Sequence, residues 1–400
     1  MDAKGRVQRR RVFYLPGYDP FPPRRYREFY RKEGAAQAAI SGYQFQMMAE
    51  APGSTGYVWR ASVTRDGETA EARLKVLVWA DLVRASMRRG LLGAYWLLVR
   101  TLWIFLSTGA MRAMIRLRPG AIMAGLWPVV MLTGQLLLAL LLGAGVWWGL
   151  AHVAPLWLGA LAGAGTVWAA LHLFRRYDTK FFAYYLLYDF AQVAAHDGAL
   201  APELAERLAA FADEVHAARH EEGIDEVLLV GHSSGAALAV ILAAEVERRS
   251  TSGAPLALLT LGQAIPMQAF LPKATRLRAD LAQLAASPTT AWVDVTAQGD
   301  GVSFWLTDPP AVCGVAPPGA HQPLVFSAAF QQTLSPAKWK AIRRQFFRLH
   351  IQYLAAFERP RDYDYFQITA GPLTLADRYR GRKPSPKVER RPFSPHRSVE

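Results

Sequence analysis

The sequence predicts an α/β protein: a doubly wound, mostly parallel sheet with an inserted two-helix transmembrane hairpin. Three observations carry that expectation. From residue 225 onward short apolar runs alternate with amphipathic helical stretches, the pattern of parallel strands joined by crossover helices. At the first junction Glu226-Val227-Leu228-Leu229-Val230 runs into Gly231-His232-Ser233-Ser234-Gly235 and then into helical composition from Ala236 to Arg249. Between Pro119 and Phe174 there is not one Asp, Glu, Lys or Arg, and an uncharged stretch of that length suits a bilayer better than a soluble core.

The bulk numbers fit. The 400 residues suffice for one large domain with insertions or for two smaller ones, and 52% hydrophobic content with 12 Trp is high for a soluble chain. A formal net charge of +14 raises nucleic acid as a partner. The basic residues, however, are spread out or crowd beside apolar segments and in the C-terminal tail, which suits an anionic membrane surface and not nucleic acid. The single Cys313 excludes an internal disulfide and any multi-cysteine metal site; no metal and no cofactor is expected. The start, Met1 to Arg11, is charged and shows no cleavable signal peptide.

In chain order, residues 1–89 form the N-terminal part of the sheet domain. Val12-Phe13-Tyr14-Leu15 reads as an early strand and Pro16-Gly17-Tyr18-Asp19-Pro20 as the turn after it. Arg24 to Ile40 is helical. Strands follow at Tyr43 to Ala49, Tyr57 to Thr64 and Ala72 to Trp79, with a turn at Asp66-Gly67. Asp81, where strand gives way to helix, reads as a capping residue. Residues 90–118 are apolar but interrupted by Arg100 and flanked by basic residues, which suits an interfacial amphipathic helix.

Residues 119–176 form the hairpin, with spans at Ile122 to Leu150 and Leu156 to Phe174 and a turn at His152-Val153-Ala154-Pro155. Gly159, Gly163 and Gly165 against Gly134 and Gly143 would let the helices approach closely. Arg112, Arg116 and Arg118 precede the hairpin and Arg175, Arg176 and Lys180 follow it, so both ends and both termini are expected in the cytoplasm. An even number of crossings is also what a site shared by Tyr18 and Ser233 requires.

Residues 177–379 complete the sheet domain. Helices are expected at Phe181 to Ala195, Pro202 to Glu222 and Ala274 to Ala286, and strands at Pro255 to Leu261 and Ala291 to Thr296. The loop Gln298-Gly299-Asp300-Gly301 comes next, then one long helix from Ser335 to Phe357. The basic, proline-containing tail of residues 380–400 is expected to be disordered.

The chemistry centres on the pentapeptide. A Gly-x-Ser-x-Gly turn between a buried strand and a helix holds its serine exposed at a strained angle, with Gly231 and Gly235 leaving room. Ser233 is then the nucleophile, and it needs a histidine to take its proton and a carboxylate to hold that histidine. After Ser233 the histidines are His321, His350 and His396. His396 lies in the tail, and His350, late in the chain, is preferred over His321. Among the acids, Asp300 in its glycine-flanked loop is preferred over Asp308 and over Asp294 within a strand. Each of these residues also has a plain structural reading, as a turn, cap or helix-face residue.

Val12 to Phe21 and Asp225 to Tyr353 resemble the α/β-hydrolase superfamily and, within it, class 3 lipases. The resemblance rests on the Gly-His-Ser-x-Gly elbow, the glycine loop Thr260-Leu261-Gly262-Gln263 after the next strand, an Asp loop one strand later and a late His. Ala236 and Pro16 depart from that pattern, which often has a second glycine and a histidine there. The resemblance implies a triad of Ser233, Asp300 and His350 and an oxyanion hole from the N–H groups of Ser234 and Tyr18. It also implies a serine hydrolase of esterase or lipase type. Together with the hairpin, this leads us to expect a lipid or other acyl-ester substrate. An acyltransferase with the same triad and a catalytically silent membrane scaffold are the alternatives, and the oligomeric state is left open.

Overall fold

The computed structural model describes residues 6–49, 57–250 and 252–400. Strand β1 (Arg9–Leu15) leads through its turn to α1 (Arg24–Ser41), and β2 (Gln44–Ala49), β3 (Val58–Arg65) and β4 (Glu68–Val76) follow. Helices α2 (Ala80–Ser86), α3 (Leu91–Ser107) and α4 (Ala110–Leu117) lead into α5 (Pro119–Leu150) and α6 (Leu156–Arg176). The chain returns through α7 (Asp178–Phe181), α8 (Ala183–Ala194) and α9 (Pro202–Arg219) to β5 (Glu226–His232) and α10 (Gly235–Arg249). Next come β6 (Leu256–Leu261), α11 (Ile265–Ala269), α12 (Thr275–Ala285), β7 (Ala291–Thr296), α13 (Pro309–Cys313) and β8 (Leu324–Ser327). Short helices close the domain: α14 (Phe330–Thr333), α15 (Pro336–Ile342), α16 (Phe346–His350), a 3₁₀ turn (Ile351–Leu354), α17 (Tyr365–Ala370) and α18 (Leu375–Arg378).

The eight strands form one sheet in the order β2-β3-β4-β1-β5-β6-β7-β8. The first three are an antiparallel meander, and from β4 across to β8 all neighbours are parallel. Side-chain alternation divides the apolar residues between two cores. In β1, Phe13 and Leu15 face the layer of α8, α9 and α10, while Val12 and Tyr14 face the layer that holds Tyr30, Tyr353 and Phe366. Both faces are covered, so the central strands β5 and β6 carry apolar side chains on both sides. The loops at their carboxyl ends are where such a sheet carries its site.

The hairpin contains two helices long and apolar enough to cross a membrane, Ile122–Leu150 and Leu156–Arg176. Of the small residues expected between them, Gly143, Gly159 and Gly163 make the contact. A Cβ on Gly143 would lie 2.7 Å from the Gly163 carbonyl oxygen, and one on Gly159 2.8 Å from Trp147. Gly134 and Gly165 face open space. Asp81 enters the first turn of α2 and pairs with Arg207 at 2.8 Å.

Two expectations fail. The helix expected from Ser335 to Phe357 is broken: α15 ends at Ile342, Gln345 takes a non-helical conformation, and α16 and the 3₁₀ turn follow on a new axis. Leu349 and Tyr353 are fully buried against the loop of Asp300 and Phe357 against Phe330 and Tyr363, and that anchoring overrides helix propensity. The tail expected to be disordered is fixed along the domain. Its backbone bonds join Ser385 to Val325, Glu389 to Leu306 and Phe393 to Val312, Arg382 lies 3.7 Å above the Phe326 ring, and the buried Arg278 donates to the Ser398 carbonyl. Composition missed this because the partners are carbonyls left open elsewhere in the fold.

Asp294, inside β7, is fully buried. One carboxyl oxygen accepts from the Thr260 hydroxyl at 2.7 Å, and the other has no partner among the described residues. Burial pushes its pKa up to about 8, against roughly 3.9 in an unfolded chain. The fold therefore favours the protonated form, and the associated stability is fully present below about pH 4 and is lost as pH rises through about 8. Asp294→Asn, which stays neutral, is expected to melt like the wild type below about pH 4 and increasingly above the wild type as the pH rises to about 9. An equal difference at both ends of that range would contradict the assignment.

Candidate active site

The elbow is the most constrained stretch of the chain. Ser233 sits at φ 60°, a left-handed angle costly for a residue with a Cβ, between β5 and α10. The glycines around it are required by contact. A Cβ on Gly235 would lie 2.3 Å from the Pro16 carbonyl oxygen, and one on Gly231 2.6 Å from the Ala239 Cβ. Gly17, in the turn after β1, faces the elbow serine, since its Cβ would fall 2.9 Å from the Ser233 Cβ.

His350 and Asp300 meet. The His350 Nδ1 lies 2.8 Å from Asp300 Oδ2, the same oxygen accepts from the Tyr353 hydroxyl at 2.9 Å, and Oδ1 accepts the Val302 N–H at 3.1 Å. Burial alone would raise the Asp300 carboxyl, but His350 and these donors outweigh it and hold the group below the usual carboxylate range. An ionised Asp300 favours a His350 proton on Nδ1, which leaves Nε2 as the nitrogen able to accept one. That Nε2 is buried and has no hydrogen-bond partner among the described residues. Gly262, at φ 50°, makes room for the pair: a Cβ there would lie 3.2 Å from both His350 and Asp300 and 2.6 Å from Tyr353.

His232, read only as a loop residue in the sequence, stacks on His350 with ring centroids 4.6 Å apart, and its Nε2 donates to the His350 carbonyl at 3.0 Å. Burial, then the neighbouring His350, pushes its pKa down to about 3, so it remains a neutral donor. The other candidates lie apart. His321 is exposed, before the amino end of β8, with its N–H on the Ala285 carbonyl. Asp308 caps α13 and pairs with Arg390, and His396 bonds the Thr108 carbonyl.

Tyr18 is held on all sides. Its side chain is buried, its carbonyl accepts from the Tyr185 hydroxyl, and its N–H donates to the Ser234 hydroxyl oxygen at 2.9 Å. The expected oxyanion donor is therefore engaged by a side chain in this state. The Ser234 hydroxyl in turn bonds Asp189 of α8, whose carboxyl is pushed up to about 7, by burial first, with the Ser234 bond and His350 opposing it. Asp189 was not singled out from sequence. Its only signal is that it is the one acid in the otherwise uncharged helix Ala183–Ala194.

The base of the hairpin meets the same rim. Arg118, just before α5, donates to the Trp305 and Leu306 carbonyls in the loop after Asp300. After α6, Phe182 packs on Phe347, three residues before His350, with ring centroids 4.1 Å apart.

A sheet of this topology, with a strained serine after β5 and a His–Asp pair from later in the chain, defines an α/β-hydrolase fold. The family model for lipase (class 3) matches residues 168–302, which include the elbow and Asp300 but neither Tyr18 nor His350. No curated protein and no solved structure matches the chain. Over those residues the chain is similar to class 3 lipases, a likeness that, with the fold, supports a lipase- or esterase-like α/β-hydrolase.

Proposed function

We propose a membrane-anchored serine hydrolase that cleaves an ester or acyl bond of an apolar lipid. Ser233 Oγ attacks the carbonyl carbon as His350 Nε2 takes the hydroxyl proton, and Asp300 holds the imidazole and stabilises its charged form. The tetrahedral oxyanion is bound by the Ser234 and Tyr18 N–H groups, the latter once the Ser234 hydroxyl oxygen releases it. Collapse expels the alcohol with the proton from His350, and water then attacks the acyl-serine by the reverse route. The observation that carries this reading is the buried His350–Asp300 bond, with Nε2 of His350 unpartnered among the described residues and its ring stacked on His232, the residue before the strained Ser233.

The lipid substrate is supported by location, because the segments on both sides of the apolar hairpin reach the rim of the site. Two helices of spanning length support anchoring, and the basic flanks support an orientation with the hydrolase domain and both termini in the cytoplasm.

A fluorophosphonate probe tests the chemistry on the full chain in detergent. Wild type is expected to label at one site and Ser233→Ala not at all. A folded wild type that fails to label, or a Ser233→Ala variant that still labels, refutes the serine mechanism.

A further inference from the structure

We propose that α3 lies within one leaflet of the bilayer without crossing it, as a third embedded segment beside the hairpin. The inference rests on the membrane reading of the hairpin.

Helix α3 has two apolar faces. Ala94, Leu97, Leu98, Thr101 and Phe105 are buried on the domain side. On the other side Leu92, Trp96, Val99, Trp103 and Leu106 are between 56% and 88% exposed. These five positions recur at alternating spacings of four and three, so they form one continuous stripe along the helix. A run of large side chains of that kind, with two Trp, marks an interaction face rather than a water-facing one.

Topology excludes a crossing. Strands β1 and β5 pair directly, and the Tyr18 N–H reaches Ser234, so residues 18 and 233 lie on one side of any membrane. The crossings between them must be even in number, and the hairpin supplies two. Were α3 also to span, the count would be odd. Nor does α3 continue straight from α2, since the two meet at 102°.

Depth is set by the hairpin. Gly143 faces Gly163 and Trp147 faces Gly159, an antiparallel register that brings Arg176 opposite Val130. The Tyr95 hydroxyl of α3 donates to the Leu132 carbonyl, which is the level at which Arg175 and Arg176 end α6. The first turns of α3 therefore lie at the boundary of head groups and hydrocarbon. Exposed Arg84, Arg88 and Arg89 before the helix and Arg112 and Arg116 after it are placed for anionic head groups. The occupant of the stripe is lipid, and its embedding brings α8 and the rim of the site down to the surface from which a lipid ester would enter.

Single cysteines at Leu92, Trp96, Val99, Trp103 and Leu106, spin-labelled in the full chain, test this in phosphatidylcholine–phosphatidylglycerol vesicles; the native Cys313 is fully buried and stays unlabelled. All five labels are expected to be open to oxygen, shielded from aqueous nickel, and at nearly one depth. A crossing helix would spread the first and last by about 20 Å. Nickel access, a graded depth of that size, or spin–spin broadening from a second copy overturns the proposal. Labels at Leu140 and Trp157 of the hairpin, exposed to lipid only if the hairpin is embedded, separate failure of this inference from failure of anchoring.

Discussion

His350→Ala is expected to lower kcat for a p-nitrophenyl ester by a factor on the order of 10⁴ to 10⁶, the loss typical when the base of such a triad is removed. In the proposed mechanism Nε2 is the group that takes the Ser233 proton. The neutral His232, with its Nε2–H committed to the His350 carbonyl and its pKa pushed down to about 3, cannot substitute. His321→Ala is the matched control. It is exposed, and the loop that carries it leads into the amino end of β8, whereas Ser233 and Asp300 follow the carboxyl ends of β5 and β7. Its loss is expected to change kcat by less than about twofold, as surface substitutions away from a site do. Activity that survives in His350→Ala but falls in His321→Ala would refute the assignment and return the base to the earlier loop.

What could be read from the sequence follows from which interactions are local. The elbow was legible because its glycines answer to contacts within a few residues and to one close neighbour, the turn after β1. The strands from β5 to β7 were legible because their apolar runs are bounded by turns. The short β8, four residues long, was not. The hairpin announced itself by the absence of charge. Asp300 and His350 were singled out by chain order and elimination, and only the fold shows that they meet and that Tyr353 and Val302 also bond the carboxylate.

The misses share a cause. The break between α15 and α16 is imposed by Leu349 and Tyr353 packing far from their own segment, and the ordering of the tail is imposed by carbonyls of β8 and α13. Neither leaves a periodic trace in its own residues. Asp189 was missed for the opposite reason: it is local and visible as a lone acid, but its meaning depends on the Ser234 hydroxyl more than forty residues away.

Asp300→Asn isolates the electrostatic part of the site with almost no change of shape. The wild-type carboxylate accepts from His350 Nδ1–H and the Tyr353 hydroxyl on one oxygen and from the Val302 N–H on the other. An amide has one accepting oxygen and one donating nitrogen. If the nitrogen faces His350, Nδ1 must accept, the ring proton moves to Nε2, and the base is lost. If the oxygen faces His350, the NH₂ group confronts the Val302 N–H, leaving two donors opposed in a buried site. Either way no negative charge remains to stabilise the imidazolium. The expected loss is about 10⁴-fold in kcat near neutral pH, the size seen when a triad carboxylate becomes an amide. Tyr353→Phe removes a single neutral donor from Asp300, and its expected loss is below about tenfold, near the net worth of one hydrogen bond. Steady-state kinetics on both variants, alongside thermal melts that establish folding, decide the matter. A loss below tenfold in a folded Asp300→Asn protein would remove Asp300 from the triad and leave its bond to His350 a structural one.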